Sequence, residues 1–392
     1  MDKHAKRSSL LHYPVLIVFT LFFVGLFALD LITPDRAYSE LENTTLSQRP
    51  ALTQLSAKGL NSYFTAYTKY VKDQVFGRDQ WISLQSMVET TLLQKEQNGG
   101  ILLGREHMMF PRTFGLLSSE ERTLPKNTSA VESLCQRYPG KVNVLLAPAA
   151  SDIYPENVPA NAPLLNENTY LDQLSAAVQA AGGRFVDVRG TLTDHKGEYL
   201  YYRTDHHWTS LAARYAFETL SAQLDLQPVR SYTVYPVSDS FEGTLAAKTG
   251  SHAALDTIEI YVPDTDVQYA VTYADTQTTI CSLYDRAKLA EKNQYEVFFG
   301  GNHARVDIQT TADTGRTLLL LKDSYANCFV QFLTPYYDRI LMIDPRYFYD
   351  DLGALLRRER VTDALILYNY NTFVQDHALS VVLQSALFDE GE

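Results

Sequence analysis

The chain has 392 residues, of which 45% are hydrophobic and 12% aromatic, enough to bury one large core or two smaller ones. Its formal net charge of −12 would repel a phosphate backbone, so we expect no nucleic-acid partner. The three cysteines, Cys135, Cys281 and Cys328, are far apart and form no CxxC pair. This spacing excludes a disulfide framework and argues against a thiolate zinc site.

The chain begins with a basic segment followed by an apolar run. Residues 1–13 contain Lys3, Lys6 and Arg7, and "PVLIVFTLFFVGLFALDLI" occupies residues 14–32. A basic flank before an uncharged run (residues 14–29), which Leu31 and Ile32 extend past Asp30, predicts a single-pass signal anchor over residues 14–32 in the cell membrane, with residues 1–13 as a cytoplasmic tail. A cleaved secretory signal is the alternative, although "FALDLITPDRA" (residues 27–37) contains no small-x-small cleavage site. With either, we expect the rest of the chain outside the cytoplasm.

The pattern after the apolar run predicts a linker and one extracytoplasmic domain. Residues 33–59 are polar and contain proline, which is typical of an extended linker, and the predicted domain covers residues 60–392. Apolar strands such as "KVNVLLA" alternate with helical segments such as "YLDQLSAAVQAA", an order typical of a mostly parallel sheet with helices on both faces. Residues 229–316 interrupt this order with runs such as "DTIEIYVP", which predict a β-rich insertion.

A serine follows one of the buried strands. In "TLLLLKDSYANCF" the apolar run ends at Lys322, and Ser324 stands where the chain turns into a helix. Ligands of open α/β sheets bind at the carboxyl ends of strands, and backbone N–H groups at a helix start can hold an oxyanion. Ser324 is therefore a candidate nucleophile. The alternative is that it only caps the helix.

The segment "YYRTDHHWTS", residues 201–210, offers the partners that such a serine needs. On an extended stretch Asp205 and His207 would point to one side and His206 to the other. Asp205 could then hold one ring nitrogen of His207, while the other nitrogen takes the proton of Ser324. We therefore predict a Ser–His–Asp triad across 117 residues (324 − 207).

A metal site is the main alternative for the same letters. Asp205, His206 and His207 would then be ligands, as in a metal-dependent phosphoesterase. Adjacent histidines on an extended chain point apart, and the other histidines show no paired spacing, so we expect no metal. The sequence has no GxxxxGK[ST] loop and no GxGxxG at a strand–helix junction, so we expect no nucleotide cofactor.

The segment "YRTDHHWTSLAARYAF" resembles the DHHW protein family, SGNH-hydrolase-like relatives of the alginate O-acetylation proteins. "DQVFGRD", "FEGTLAAKTG" and "LLKDSYAN" are also similar to such sequences. The resemblance implies an SGNH-hydrolase-like three-layer α/β/α domain whose catalytic aspartate and histidine come from a D-x-H-W motif before the serine. Asp205, His207 and Ser324 match those positions, whereas Lys322 replaces the usual glycine.

The resemblance also implies an asparagine in the oxyanion hole, at the end of a later strand. "ALILYNYNTF" supplies Asn369 and Asn371 as candidates, and turn asparagines that bond the local backbone are the alternative. Arg203 is expected to hold a polar substrate or to brace the loop. Tyr325, next to the serine, is a further candidate for substrate contact.

Together these features predict a membrane-anchored serine acyltransferase that O-acetylates a cell-surface or exported polysaccharide through an acyl-serine. Because acyl-CoA is absent outside the cytoplasm, the resemblance implies a membrane-bound partner that supplies the acyl group. A carbohydrate esterase with the same triad is an alternative. Another is a non-catalytic polysaccharide-binding or assembly protein whose tyrosines, 26 in all, stack on sugars.

Overall fold

The computed structural model describes residues 13–39, 44–51, 60–111, 115–224, 226 and 231–387. Between Leu93 and Gln94 the chain divides into two compact units. The predicted cytoplasmic tail lies almost entirely outside the described residues, as do parts of the predicted linker.

The N-terminal unit consists of helices and two very short strands. Its elements are α1 (Pro14–Ile32), β1 (Tyr38–Ser39), β2 (Thr44–Thr45), α2 (Leu60–Gln74) and α3 (Arg78–Met87). Within the described residues α1 is the one helix whose length and composition suit a membrane span, and no part of it is buried. A secretory signal near an N-terminus has the same properties.

Helices α2 and α3 fall inside the single domain predicted over residues 60–392, but they belong with α1 to the N-terminal unit. Helix α2 has no buried residue, and α3 has one, Ser86. The tyrosine and aliphatic side chains of α2 and α3 therefore do not pack into an extensive core. The exact limits of the functional domain stay a prediction.

The C-terminal unit contains a large sheet, two small sheets and nine helices among its described residues. Its strands are β3 (Gln97–Asn98), β4 (Ile101–Leu103), β5 (Met109–Pro111), β6 (Val142–Ala147), β7 (Arg184–Phe185), β8 (Tyr232–Phe241), β9 (Asp256–Pro263), β10 (Tyr269–Tyr273), β11 (Thr278–Ile280), β12 (Arg305–Thr310), β13 (Thr317–Lys322), β14 (Arg339–Ile343) and β15 (Asp363–Asn369). Its helices are α4 (Glu120–Arg137), α5 (Ala150–Ile153), α6 (Glu167–Ala180), α7 (Arg189–Asp194), α8 (Ser210–Gln223), α9 (Thr244–Thr249), α10 (Leu352–Glu359), α11 (Tyr370–Gln375) and α12 (His377–Ser385).

The large sheet has eight strands in the order β11-β10-β12-β14-β13-β15-β6-β7. Strands β14, β13, β15, β6 and β7 run parallel, and β12, β10 and β11 continue the sheet with antiparallel pairings. The interiors of the parallel strands are mostly apolar because both of their faces are covered.

Alternate residues of the central strand β13 enter two different cores. Leu318 and Leu320 belong to one core, on the face covered by α8, whereas Leu319 and Leu321 belong to the other, on the face covered by α4, α6 and α12. The predicted three-layer α/β/α architecture is therefore confirmed.

The region predicted as a β-rich insertion, residues 229–316, does not form one separate body. Its strands β10, β11 and β12 extend the large sheet, whereas β8 and β9 pair only with each other. The short helix α9 stands between β8 and β9. Residues 229 and 230 lie outside the described part of the chain.

Candidate active site

Ser324 follows the central strand of the sheet. Strand β13 lies between β14 and β15, both parallel to it, so its carboxyl end opens at the edge where ligands of such sheets bind. Asp323 shapes the turn: its Oδ1 accepts the backbone N–H of Tyr325 and its Oδ2 that of Asn369, both at 2.9 Å. The turn is thereby tied to the end of the neighbouring strand. Ser324 is partly exposed, while the residues on both sides of it are buried.

The segment that carries the two histidines lies against β13 on the face of the sheet that α8 covers. Residues 203–207 form a series of bends rather than a strand. The buried carboxylate of Asp256 accepts the backbone N–H groups of Arg203 (2.9 Å) and Thr204 (2.8 Å) and the hydroxyl of Thr204 (2.5 Å). Tyr199 donates a further short hydrogen bond to the same carboxylate. These four bonds fix the start of the histidine segment.

Asp205, His207 and Ser324 form a continuous chain of hydrogen bonds. His207 Nδ1 lies 2.5 Å from Asp205 Oδ1, and His207 Nε2 lies 2.6 Å from Ser324 Oγ. An ionised carboxylate can only accept, so Nδ1 carries the ring proton and Nε2 is free to accept the serine hydroxyl. This is the tautomer that a general base needs.

Asp205 is held ionised although it is buried. Its Oδ2 accepts the backbone N–H and the hydroxyl of Thr244, at 2.8 and 2.9 Å, and its Oδ1 also accepts the His207 backbone N–H at 3.0 Å. Burial favours the neutral acid, but the neighbouring histidines and these donors outweigh it. The pKa of Asp205 is therefore well below its usual range.

Tyr295 fixes the plane of the His207 ring. The two rings stack with centroids 3.9 Å apart and planes inclined by 13°. The hydroxyl of Tyr295 donates to the Ser324 carbonyl oxygen at 3.0 Å. One buried side chain thus contacts both the histidine and the serine.

The expectation that His206 points away from His207 is wrong. The two rings lie with centroids 3.9 Å apart, and His206 Nδ1 is 3.5 Å from Asp205 Oδ1. The reason is that this segment bends and does not form the extended chain on which the expectation depends. The Thr244 hydroxyl donates to Asp205, so His206 Nδ1–H must donate to Thr244 Oγ1, at 2.8 Å. Burial and the His207 charge lower the pKa of His206 to about 4.

The bend also brings three candidate metal ligands together. One ligand atom each from Asp205, His206 and His207 lies within 4.8 Å of the others. The 2.5 Å separation between Asp205 Oδ1 and His207 Nδ1 is that of a hydrogen bond, and Nε2 is engaged by Ser324. A metal ion bound there would have to break this chain of hydrogen bonds.

The backbone N–H of Ser324 is the free donor in the turn. It has no acceptor in the part of the chain that the model describes, whereas the N–H groups of Tyr325, Asn369 and Asn371 are all engaged. The Asn369 side chain donates to the Ala147 carbonyl oxygen at 3.1 Å and accepts the Asn371 N–H at 3.1 Å. Through the bond to Ala147, Asn369 links the end of its own strand, β15, to the end of β6.

The remaining predicted residues hold the loops. The Asn371 side chain faces Glu167, and its Oδ1 is buried without a partner among the described residues. The Tyr325 hydroxyl donates to the His206 carbonyl oxygen, so Tyr325 links the serine turn to the histidine segment. The guanidinium of Arg203 lies over the Tyr199 ring, 5.4 Å from its centroid.

Lys322, which replaces the usual glycine, is the last residue of β13 and keeps strand geometry. Its buried Nζ donates to Asn327 Oδ1 at 2.9 Å and to Asn302 Oδ1 at 3.0 Å, and it lies 3.7 Å from Asp344 Oδ2. Burial lowers the pKa of Lys322 to about 8, against the opposing effect of Asp344. The serine turn therefore does not need a glycine before Asp323.

The supporting residues were not predicted from the sequence. Thr244, Asp256 and Tyr295 lie roughly 40 to 90 positions after the histidines, and no local spacing assigns them a role at the site. One signal was present: "FEGTLAAKTG" contains Gly243 and Thr244. At Gly243 a Cβ would lie 2.2 Å from the Cβ of Asp205, so this position admits only glycine.

A mostly parallel α/β/α sheet with a serine after its central strand, beside an aspartate–histidine pair, defines the SGNH-hydrolase-like class. A family model described as "DHHW protein" matches residues 127–343, more than half of the chain. The chain belongs to the DHHW protein family, as its sequence predicted.

Two solved structures share the fold. A DHHW family protein from Eubacterium siraeum superposes with a TM-score of 0.62 at 22% identity, over 75% of this chain and 98% of that one. PatB1 of Bacillus cereus, solved with a sulfonyl adduct, superposes with a TM-score of 0.54 at 14% identity, over 70% and 95% of the two chains.

Among curated relatives, the probable alginate O-acetylase AlgJ of Pseudomonas fluorescens is 26% identical over 236 residues, 57% of this chain and 58% of that protein. The AlgJ protein of Pseudomonas syringae is 23% identical over 193 residues, 48% of each chain. The chain thus spans about half the length of the curated relatives it matches.

Proposed function

We propose that the protein is a serine O-acyltransferase of the SGNH type that acetylates a hydroxyl of a cell-envelope or exported polysaccharide. The observation that carries this proposal is the hydrogen-bonded chain from Asp205 through His207 to Ser324, at 2.5 and 2.6 Å. The names of the curated relatives, alginate O-acetylases, support acetyl transfer to a polysaccharide.

In the first half-reaction Ser324 Oγ attacks the carbonyl carbon of the acyl donor while His207 Nε2 takes its proton. The free N–H of Ser324 donates to the oxyanion that forms. His207 then gives the proton to the leaving group, and an acetyl-serine remains. Asp205 holds the ring orientation and stabilises the imidazolium through both steps.

In the second half-reaction a sugar hydroxyl loses its proton to His207 Nε2 and attacks the acetyl-serine. Collapse of the tetrahedral intermediate releases the acetylated sugar and returns the proton to Ser324. Water in place of the sugar would make the protein an esterase with the same residues. The acceptor that resolves the acyl-enzyme therefore decides between transferase and esterase.

The proposed location is the outer side of a membrane in which α1 is the single anchor. The 19 residues of α1 span about 28 Å at 1.5 Å per residue, close to the thickness of a bilayer core. We propose that a membrane-bound partner supplies the acyl group, because acyl-CoA is confined to the cytoplasm.

The test combines labelling of the serine with measurement of transfer. A fluorophosphonate probe should label the wild-type chain and leave Ser324→Ala unlabelled, with Ser133→Ala, at a partly exposed position of α4, as the matched control. Mass spectrometry of oligosaccharides incubated with an activated acetyl ester should show acetyl groups that depend on Ser324. Labelling without sugar acetylation but with free acetate would support the esterase. Absence of labelling in a folded chain would support a binding or assembly protein.

A further inference from the structure

Helix α3 of the N-terminal unit lies beside the C-terminal half of α1. The Phe76 backbone N–H donates to Asp30 Oδ1 at 3.0 Å, which places the start of α3 at the polar end of α1. The Trp81 ring then meets the Phe22 ring edge-on, with centroids 6.5 Å apart. Phe22 precedes Asp30 by eight residues (30 − 22), about 12 Å along the helix axis. Helix α3 therefore extends from the end of α1 toward its middle.

The exposed face of α3 carries no charge. Its exposed residues are Gln80, Trp81, Leu84, Gln85 and Met87. The π-helical segment that continues α3, Val88–Leu92, and the residue after it expose two further leucines, Leu92 at 75% and Leu93 at 61%. The charged residues of α3, Arg78 and Asp79, stand at its start, near the end of α1.

A groove of about 660 Å³ lies between α1 and the neighbouring helices. Phe23 and Phe27 of α1, Val71 of α2 and Val75 just after α2 are among the apolar side chains that line it. Polar groups, among them Asp35 and Arg49, lie in the same lining. The groove thus combines an apolar wall with charged side chains, as a phospholipid does.

We propose that α3 and this groove are embedded in the outer leaflet of the bilayer, with phospholipid as their occupant. The inference rests on the proposed anchoring by α1: if α1 spans the membrane, the Trp81 ring lies well inside the level of Asp30. An uncharged helix face that exposes Trp81, Leu84 and Met87 suits contact with lipid acyl chains. The anchor is then a helix pair in the outer leaflet and a single helix in the inner one.

The chain offers a direct readout because it has only two tryptophans. Trp208 is 0% exposed in its own core, so the difference between wild type and Trp81→Phe reports Trp81 alone. The full-length chain would be reconstituted in phosphatidylcholine vesicles with and without bromine atoms on the acyl chains. We expect brominated lipid to quench Trp81 emission by about half or more. The emission of Trp81→Phe should stay unchanged, which also shows that the variant is folded.

Carbonate extraction of the same vesicles separates this inference from the anchor itself. If the chain stays in the vesicles but Trp81 is quenched by aqueous acrylamide and not by bromolipid, the inference is overturned and the proposed anchor still holds. The exposed face of α3 would then be a surface that a partner protein covers. A chain released by carbonate would overturn both. The same measurement on Ser324→Ala should give the same quenching, because lipid contact does not depend on the proposed chemistry.

Discussion

The serine turn and the histidine segment meet at the candidate active site, but different parts of the fold hold them in position. The serine turn follows the central strand and is tied to β15 by its own residue Asp323, so the sheet positions it. The histidine segment is a run of bends, and residues from the region between α8 and β12 hold it in place. The nucleophile therefore depends on the sheet, whereas the base depends on a buried polar network.

The largest effect should separate the two adjacent histidines. His207→Ala removes the base and should lower acyl transfer by about 10⁴-fold or more, with folding intact. His206→Ala removes one hydrogen bond to Thr244 and should cost less than about tenfold in rate and about 1 kcal/mol in stability. Steady-state rates and urea unfolding of both variants provide the measurement. Equal losses of activity would return the metal site to consideration.

Glycine substitutions should show how closely the network fits Asp205. In Gly243→Ala the new Cβ would lie 2.2 Å from the Asp205 Cβ and 2.7 Å from its Cα, so the backbone of Asp205 must move and carry the carboxylate with it. A displacement near 1 Å should reduce kcat by about 10²-fold. Gly190→Ala is the matched control, because nothing lies within 4 Å of its Cβ. An active Gly243→Ala chain would show that Asp205 does not need its observed position.

Asp256 should affect the histidine segment more than the sheet. In Asp256→Asn an amide NH2 group replaces one carboxylate oxygen and faces the backbone N–H groups of Arg203 and Thr204. The loss of this acceptor should lower the free energy of unfolding by about 1–3 kcal/mol. A loss of about tenfold in kcat should accompany it, because the start of the segment is released. Asp266→Asn, at an exposed position, should stay within about 0.5 kcal/mol of wild type. Unchanged stability and rate in Asp256→Asn would refute the bracing role.

The smallest effect is a pH dependence of stability that belongs to Asp205. Its folded pKa is depressed, so its contribution to stability is complete above the unfolded pKa of about 4 and is lost as the pH falls below it. The difference in unfolding free energy between wild type and Asp205→Asn should therefore shrink below about pH 4. Urea titrations across the acidic range provide the test. A difference that does not vary with pH would mean that Asp205 is not held ionised.

Much of the fold could be predicted from the sequence, because the apolar strands and the helices that cover them leave strong local patterns. The positions of Ser324 at a strand end and of Asp205 two residues before His207 are likewise local. The direction of His206 was not predictable, because a bend replaced the assumed strand. Thr244, Asp256 and Tyr295 reach the site only through the tertiary fold, so no local spacing reveals them.

The central claim is that Ser324 carries the acyl group. The most direct measurement is rapid acid quenching of the protein during turnover of an activated acetyl ester, followed by peptide mapping by mass spectrometry. We predict one acetyl group, on Ser324, that accumulates within the first turnover and disappears faster when an acceptor oligosaccharide is present. An acetyl group on another residue, or turnover that persists in Ser324→Ala, would contradict the account.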